Sequence, residues 1–332
     1  MSPMLEVEDL SVVFATEDGP VHAVSDVSFT LDRAEILGIV GESGCGKSVT
    51  AMSIPGLLPP SARVTGAVRL DGQDLLTLSQ KQLRHWRGKR VSMVFQEPMT
   101  SLNPSFSVGF QVAEVLREHE GLNGRQARAR TVELFELVGI PAPARRIDEY
   151  PHQLSGGMRQ RVMIAIAVAC SPQVLIADEP TTALDVTIQA GILDVMRTLR
   201  DELGTAIILI THDLGVVADL TDRVVVMYGG RRVETAGVDD LFAAPQHPYT
   251  LGLMGAIPRP LADADAERPR LAEIPGRVPT LRADIDECIF APRCDRATAE
   301  CTDSRPPLEP AFPGHLVACY HPGAHAPGDE SR

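Results

Sequence analysis

Aromatic residues, long apolar runs and excess positive charge are all scarce in this sequence, and each shortage closes a class of function. Aromatics make up 4% of the 332 residues, with a single Trp, so the core must be built from Val, Ile, Leu and Ala. Apolar runs such as residues 206–210 and 224–227 fall far short of the ~20 residues a membrane-crossing helix needs. Acidic side chains outnumber basic ones, 44 to 31, for a net charge of −13. Such a chain lacks the Lys/Arg excess that displaces counterions from nucleic acid, so no nucleic-acid partner is expected. The first residues, Met-Ser-Pro-Met-Leu-Glu, offer neither a basic segment nor the apolar core of a secretory signal. A cytoplasmic location is expected, with any membrane role arising through a partner.

Against these shortages stands a clear alternation of element types. Leu5-Glu6-Val7-Glu8-Asp9-Leu10 and Val24-Ser25-Asp26-Val27-Ser28-Phe29 alternate with the period of half-buried antiparallel strands. Residues 36–40, 174–177 and 206–210 are continuous apolar runs, the mark of strands buried on both faces. Alternating with helical stretches, they predict an α/β fold with a mostly parallel sheet. From about residue 98 to 160 the texture is helical. Val132, Phe135 and Val138 repeat at helical spacing, Leu134 and Leu137 broaden the stripe, and Gly139 and Pro141 stop it. This segment reads as a helical subdomain inserted into a sheet domain spanning residues 1–242. Prolines become dense after residue 243, and 243–332 reads as a C-terminal extension ending in a polar tail.

Gly41-Glu42-Ser43-Gly44-Cys45-Gly46-Lys47-Ser48 fits G-x-x-x-x-G-K-[ST] and lies between a buried strand and a helix start. Its glycines let backbone N–H groups converge on phosphate oxygens, and the helix N-terminus adds partial positive charge. In this pattern Lys47 reaches the β- and γ-phosphates and Ser48 holds Mg²⁺. Pro55 should end or kink the helix soon after. Cys45, beside Lys47, reads either as an activated thiolate or as a small filler of the loop. Asp178 and Glu179 close the apolar run 174–177. An acid there can hold Mg²⁺ through water, as Asp178 would, and the next can polarise a water, as Glu179 would.

Leu154-Ser155-Gly156-Gly157-Met158-Arg159-Gln160-Arg161 closely resembles the signature motif of ABC ATPases. The resemblance extends to Gln96 in Val94-Phe95-Gln96-Glu97-Pro98 (the Q-loop), Ala183-Leu184-Asp185 (the D-loop), and Thr211-His212-Asp213 (the switch histidine). Phe14 stands where the family stacks an aromatic on adenine. The resemblance implies an ATP-hydrolysing P-loop core with an antiparallel β subdomain, working with ATP and Mg²⁺. Two subunits would meet head to tail, with Ser155, Gly156 and Gly157 acting on the partner's nucleotide. Glu179 would activate water, His212 would hold the γ-phosphate, and Gln96 would sense Mg²⁺ and the transmembrane partner. Ala34-Glu35 departs from the family's usual Gly-Glu; if the turn there needs a positive φ, Ala is strained.

Cys288, Cys294, Cys301 and Cys319 crowd the C-terminal region, without the close pairs typical of structural zinc. The residues alone leave metal, cluster and unlinked thiols open. Gln246-His247-Pro248-Tyr249-Thr250, Gly276-Arg277-Val278-Pro279, Cys288-Ile289-Phe290-Ala291-Pro292-Arg293-Cys294 and His315-Leu316-Val317-Ala318-Cys319 resemble the C-terminal extension of oligopeptide/dipeptide importer ATPases. That resemblance implies a [4Fe–4S] cluster on the four cysteines, with zinc as the alternative. It further implies a peripheral protein on the cytoplasmic face of the membrane that energises di- or oligopeptide uptake. Its partners would be a second, paralogous ATPase subunit, two permease subunits and an extracytoplasmic substrate-binding protein. Relatives that import nickel or other small solutes share much of the pattern. Soluble ABC ATPases of DNA repair fit poorly, because no long coiled coil separates Gly46 from Ser155. Ribosome-recycling factors fit poorly too, because the chain has one phosphate loop and no basic surface.

Overall fold

The computed structural model describes residues 2–95, 101–181, 185–256 and 274–323. The first two strands pair as their alternation predicts. β1 (Leu5–Thr16) and β2 (Gly19–Leu31) are antiparallel. β3 (Ile36–Val40) is buried throughout. β4 (Ala62–Leu70) pairs antiparallel with β1, and the two-residue β5 (Gln73–Asp74) pairs with β4. β1, β2, β4 and β5 form a four-stranded antiparallel sheet in the order β2-β1-β4-β5.

The central sheet uses β3 with β6 (Val91–Val94), β7 (Val174–Asp178), β8 (Ala206–Ile210), β9 (Arg223–Tyr228), β10 (Arg231–Gly237), β11 (Glu309–Phe312) and β12 (His315–Val317). Among the described residues its order is β11-β12-β10-β9-β3-β8-β7-β6. The five strands from β9 to β6 are parallel, while β10, β12 and β11 are antiparallel additions at one edge. Every residue of β3, β7 and β8 is buried, as continuous apolar runs require of strands covered on both faces. Asp178 pairs with Ile210, and Ile39 with Ile210, so the carboxyl ends of β3, β7 and β8 lie level. Ligands of open parallel sheets bind at such an edge.

The helical segment packs on its own cluster. Ser107 caps the helix Val108–Glu120, and a reciprocal Asn123–Gln126 capping box starts Gly124–Leu137. The buried stripe of the latter runs through Thr131, Leu134, Phe135 and the C-cap Val138, with Val132 and Leu137 at its margins. This is a rotation of the expected face, because Thr131 hides its hydroxyl by donating to Ala127 O at 2.8 Å. Gly139 takes φ 72°, ending the helix as expected. Helix Lys47–Ser53 stops two residues before Pro55. Ala34 has φ 54°, so the turn does demand a positive φ, at about 1 kcal/mol of strain for Ala.

Among the described residues beyond 243, β11 and β12 join the central sheet's edge. β12 pairs with β10, and the buried Glu234 of β10 gathers the region around itself. It bonds His315 Nε2 at 2.6 Å and accepts from the backbone N–H groups of Gln246 (2.6 Å) and His247 (3.0 Å).

Candidate functional site

The phosphate loop sits at the carboxyl end of β3. Gly41 and Gly46 have φ of 151° and 97°. A Cβ on Gly41 would lie 2.2 Å from Met227 O, and one on Gly46 2.5 Å from Ala23 O, so no other residue fits these points of the cradle. Lys47, 6% exposed, turns its Nζ back to donate to Gly41 O (2.7 Å) and Glu42 O (3.0 Å). Lys47 Nζ thus lies over the loop whose N–H groups would cradle a phosphate.

Ser48 Oγ lies 3.1 Å from Asp178 Oδ1. Burial pushes the Asp178 carboxyl above its usual range, the Ser48 bond opposing it. A hydroxyl and a carboxylate this close form an oxygen donor set that suits a hard divalent cation such as Mg²⁺. The next residue, Glu179, is held at φ 48°, a conformation uncommon outside glycine and concentrated at functional sites. Its N–H donates to Ile210 O at 2.9 Å, tying it to the end of β8. Glu179 Oε1 lies 3.3 Å from His212 Nδ1, so the sheet edge brings together two residues 33 positions apart in sequence.

Phe14, half-buried on β1, packs against the core beneath the antiparallel sheet. Ser155 is the N-cap of helix Gly156–Val168, its hydroxyl accepting from Met158 N at 3.3 Å. Ser155 and Gly156 are exposed, whereas Gly157 is buried, and a Cβ there would meet Ile188 Cγ2 at 2.4 Å. Gln96, with Ala183 and Leu184 of the D-loop pattern, lies outside the described residues. Asp185 is described, and caps helix Val186–Leu203.

Two expectations change on this geometry. Cys45 is fully buried, and burial pushes its thiol up despite the neighbouring Lys47. It is a filler of the loop, not an activated thiolate. The [4Fe–4S] cluster is also overturned. Cys288, Cys294, Cys301 and Cys319 lie near enough to influence one another's charge. Yet among the described residues no group of three or more His, Cys, Asp or Glu side chains converges to hold a metal ion. Burial raises the thiols of Cys288, Cys294 and Cys319, the last to about 11. The reading of these cysteines as cluster ligands, or as zinc ligands, is withdrawn.

Motif reading missed a set of residues that meet the phosphate loop from beyond position 243. Arg293 Nη1 and Nη2 grip the Glu42 carboxylate at 2.7 and 3.1 Å. Tyr249 Oη accepts from Glu42 N at 2.7 Å. Both belong to strings that drew notice only as marks of the extension, so nothing in the sequence linked them to position 42.

Comparisons with known proteins agree with the architecture. Residues 24–182 match the ABC transporter family, and residues 233–301 match the oligopeptide/dipeptide transporter C-terminal region. The oligopeptide transport ATP-binding protein OppD of Salmonella typhimurium is 49% identical, over 96% of this chain and 94% of that protein. OppD of Mycobacterium tuberculosis is 51% identical over 96% of this chain, which spans 52% of that longer protein. Among solved structures, the dimeric ABC transporter cassette MJ0796 superposes with a TM-score of 0.64 at 27% identity, covering 71% of this chain and 99% of that one. The cbiO1 cassette of Clostridium perfringens gives 0.62 at 31% identity, covering 73% and 92%. With its phosphate loop, its Asp178–Glu179 pair and its signature helix on this sheet, the chain belongs to the ATP-binding subunits of ABC transporters that carry the oligopeptide/dipeptide C-terminal region.

Proposed function

We propose that this chain hydrolyses ATP to drive import of di- or oligopeptides, working as a peripheral subunit on the cytoplasmic face of the membrane. The observation that carries the chemistry is the approach of Glu179 to His212, 3.3 Å apart, beside the Ser48–Asp178 pair. Ser48 and Asp178, with Gln96, would hold Mg²⁺, which supplies charge neutralisation at the phosphates. Residues 41–48 would cradle the β- and γ-phosphates, Lys47 swinging from its loop carbonyls to phosphate oxygens. Phe14 would stack on adenine. Glu179 would take a proton from the attacking water, and His212, 3.3 Å from it, would orient the carboxylate and contact the γ-phosphate. Ser155, Gly156 and Gly157 would meet the nucleotide of a second ATPase subunit, by this reading a paralogue.

The peptide substrate is supported by the names of the relatives and by the C-terminal region they share. Two permease subunits and a substrate-binding protein would complete the importer, residues 1–242 forming the ATP-binding domain and 243–332 the extension. The test is a pair of variants in the reconstituted transporter. Glu179→Gln should bind ATP normally and lose turnover by roughly a hundredfold or more, the scale of general base catalysis. Lys47→Ala should instead weaken ATP binding. Near-normal turnover in Glu179→Gln would overturn the assignment of the base.

A further inference from the structure

We propose that Arg293, delivered by the C-terminal region, is a positioning residue of the ATP site that keeps the Glu42 carboxylate from opposing the nucleotide's phosphates. The inference rests on the ATP-site reading. Glu42 is the second residue of the phosphate loop, so it introduces a negative charge where a polyanion binds. Each of its polar groups is fixed by a different partner. Its N–H donates to Tyr249 Oη at 2.7 Å, its C=O accepts from Lys47 Nζ at 3.0 Å, and its carboxylate is gripped by both ends of the Arg293 guanidinium.

Arg293 is itself built in. Its side chain is 5% exposed, against 30% for Glu42. It lies 5.6 Å over the Tyr228 ring and donates to Tyr228 Oη at 3.3 Å. Its remaining donors reach Pro275 O (2.6 Å) and Ile274 O (3.1 Å). Those carbonyls begin the segment whose Gly276–Leu281 stretch faces Ser43 and Gly44 across a cavity of about 550 Å³. A planar, permanently charged fork suits this place, because it neutralises the carboxylate and fixes its direction together. Glu42 in turn raises the Arg293 guanidinium further above its ordinary value. Without Arg293, the carboxylate would be free to turn toward the phosphates uncompensated.

The experiment measures ATP affinity of the full chain by equilibrium dialysis, with thermal unfolding as a check on folding. Arg293→Gln keeps the first part of the side chain and removes the charged guanidinium. It should weaken ATP binding by about tenfold, the scale of one unpaired charge acting across several ångströms of partly hydrated loop. Glu42→Gln alone should bind ATP more tightly than the unaltered chain, because it leaves the Arg293 charge uncompensated beside the phosphates. The double variant should regain binding, because no carboxylate remains to be neutralised. An Arg293 that served only to pack the C-terminal region would not be rescued by Glu42→Gln. Unchanged affinity in Arg293→Gln, or a double variant as weak as the single, would overturn the proposal. Should Arg293→Gln not fold, reversing the sign at the other end remains. Glu42→Lys would then be expected to lower the melting temperature by placing two cations together, and an unchanged melting temperature would overturn the pairing. Lys47→Ala is the reference: if it binds ATP as well as the unaltered chain, the ATP-site reading fails, independently of Arg293.

Discussion

Burial decides what Cys45 does. Its position beside Lys47 and a helix start favours a thiolate, but the side chain is fully enclosed and burial outweighs both effects. Alkylation of Cys45 in the native chain, followed by peptide mass spectrometry, should therefore be slow with and without Mg-ATP. Rapid labelling that ATP suppresses would show an exposed thiolate instead. Residue identity was legible here and environment was not, since exposure depends on Cys45 packing into the core cluster that holds Val24, Ile39 and Met227. The same limit applies to Glu42, whose partners Tyr249 and Arg293 lie 207 and 251 positions away. In contrast, Lys47, Ser48, Asp178, Glu179 and His212 were legible because each sits at a fixed offset from a strand end. A buried apolar run followed by the right residue types places them at one sheet edge without knowledge of the rest.

At the scale of elements, β3, β7 and β8 announced themselves through uninterrupted apolar runs. β11 and β12 did not: β11 is short, mostly exposed and contains Pro310, and β12 is only three residues long. What holds them is the buried Glu234, which serves His315 of β12 and two backbone N–H groups at the start of helix Pro248–Gly255. Glu234→Ala leaves His315 and both N–H groups without their acceptor, and should cost about 3–5 kcal/mol. Limited proteolysis should then cut first in residues beyond 243; cleavage unchanged from the native pattern would refute this latch. His247 supplies a second lever. Its ring accepts from Tyr249 N at 3.1 Å and is wholly buried, so its pKa falls from 6.5 to about 3. The folded chain holds the ring neutral while the unfolded chain protonates it near 6.5. Its contribution is complete above that pH and is lost as the pH falls toward 3. His247→Asn keeps an acceptor and removes the titration. Between pH 7 and 5 its loss of unfolding free energy should be smaller by about 2 kcal/mol. Parallel pH profiles for the two proteins would contradict this assignment.

For the whole molecule, the question is where the signature helix spends its N-terminus. Ser155 uses its hydroxyl on Met158 N, but Ser155 and Gly156 are exposed at the start of helix Gly156–Val168. The phosphate loop, on the edge of β3, is assembled entirely from other elements. On the proposed reading, in which the signature acts on a partner's nucleotide, a second subunit completes each ATP site; the similar cassette MJ0796 was solved as a dimer. Two consequences separate binding from turnover. A dilute chain should bind ATP through its own phosphate loop yet hydrolyse it slowly, and turnover per chain should climb with concentration or on adding the second ATPase subunit and permeases. Ser155→Arg should then abolish turnover in the assembled transporter while leaving the ATP affinity of the dilute chain unchanged. Lys47→Ala should do the reverse at the binding step, weakening affinity even in the isolated chain. Light scattering during turnover decides the case: a demonstrably monomeric chain hydrolysing at the full rate of the assembled transporter would show that one subunit suffices. A loss of dilute-chain affinity in Ser155→Arg equal to that in Lys47→Ala would place the signature in its own subunit's site instead of a partner's.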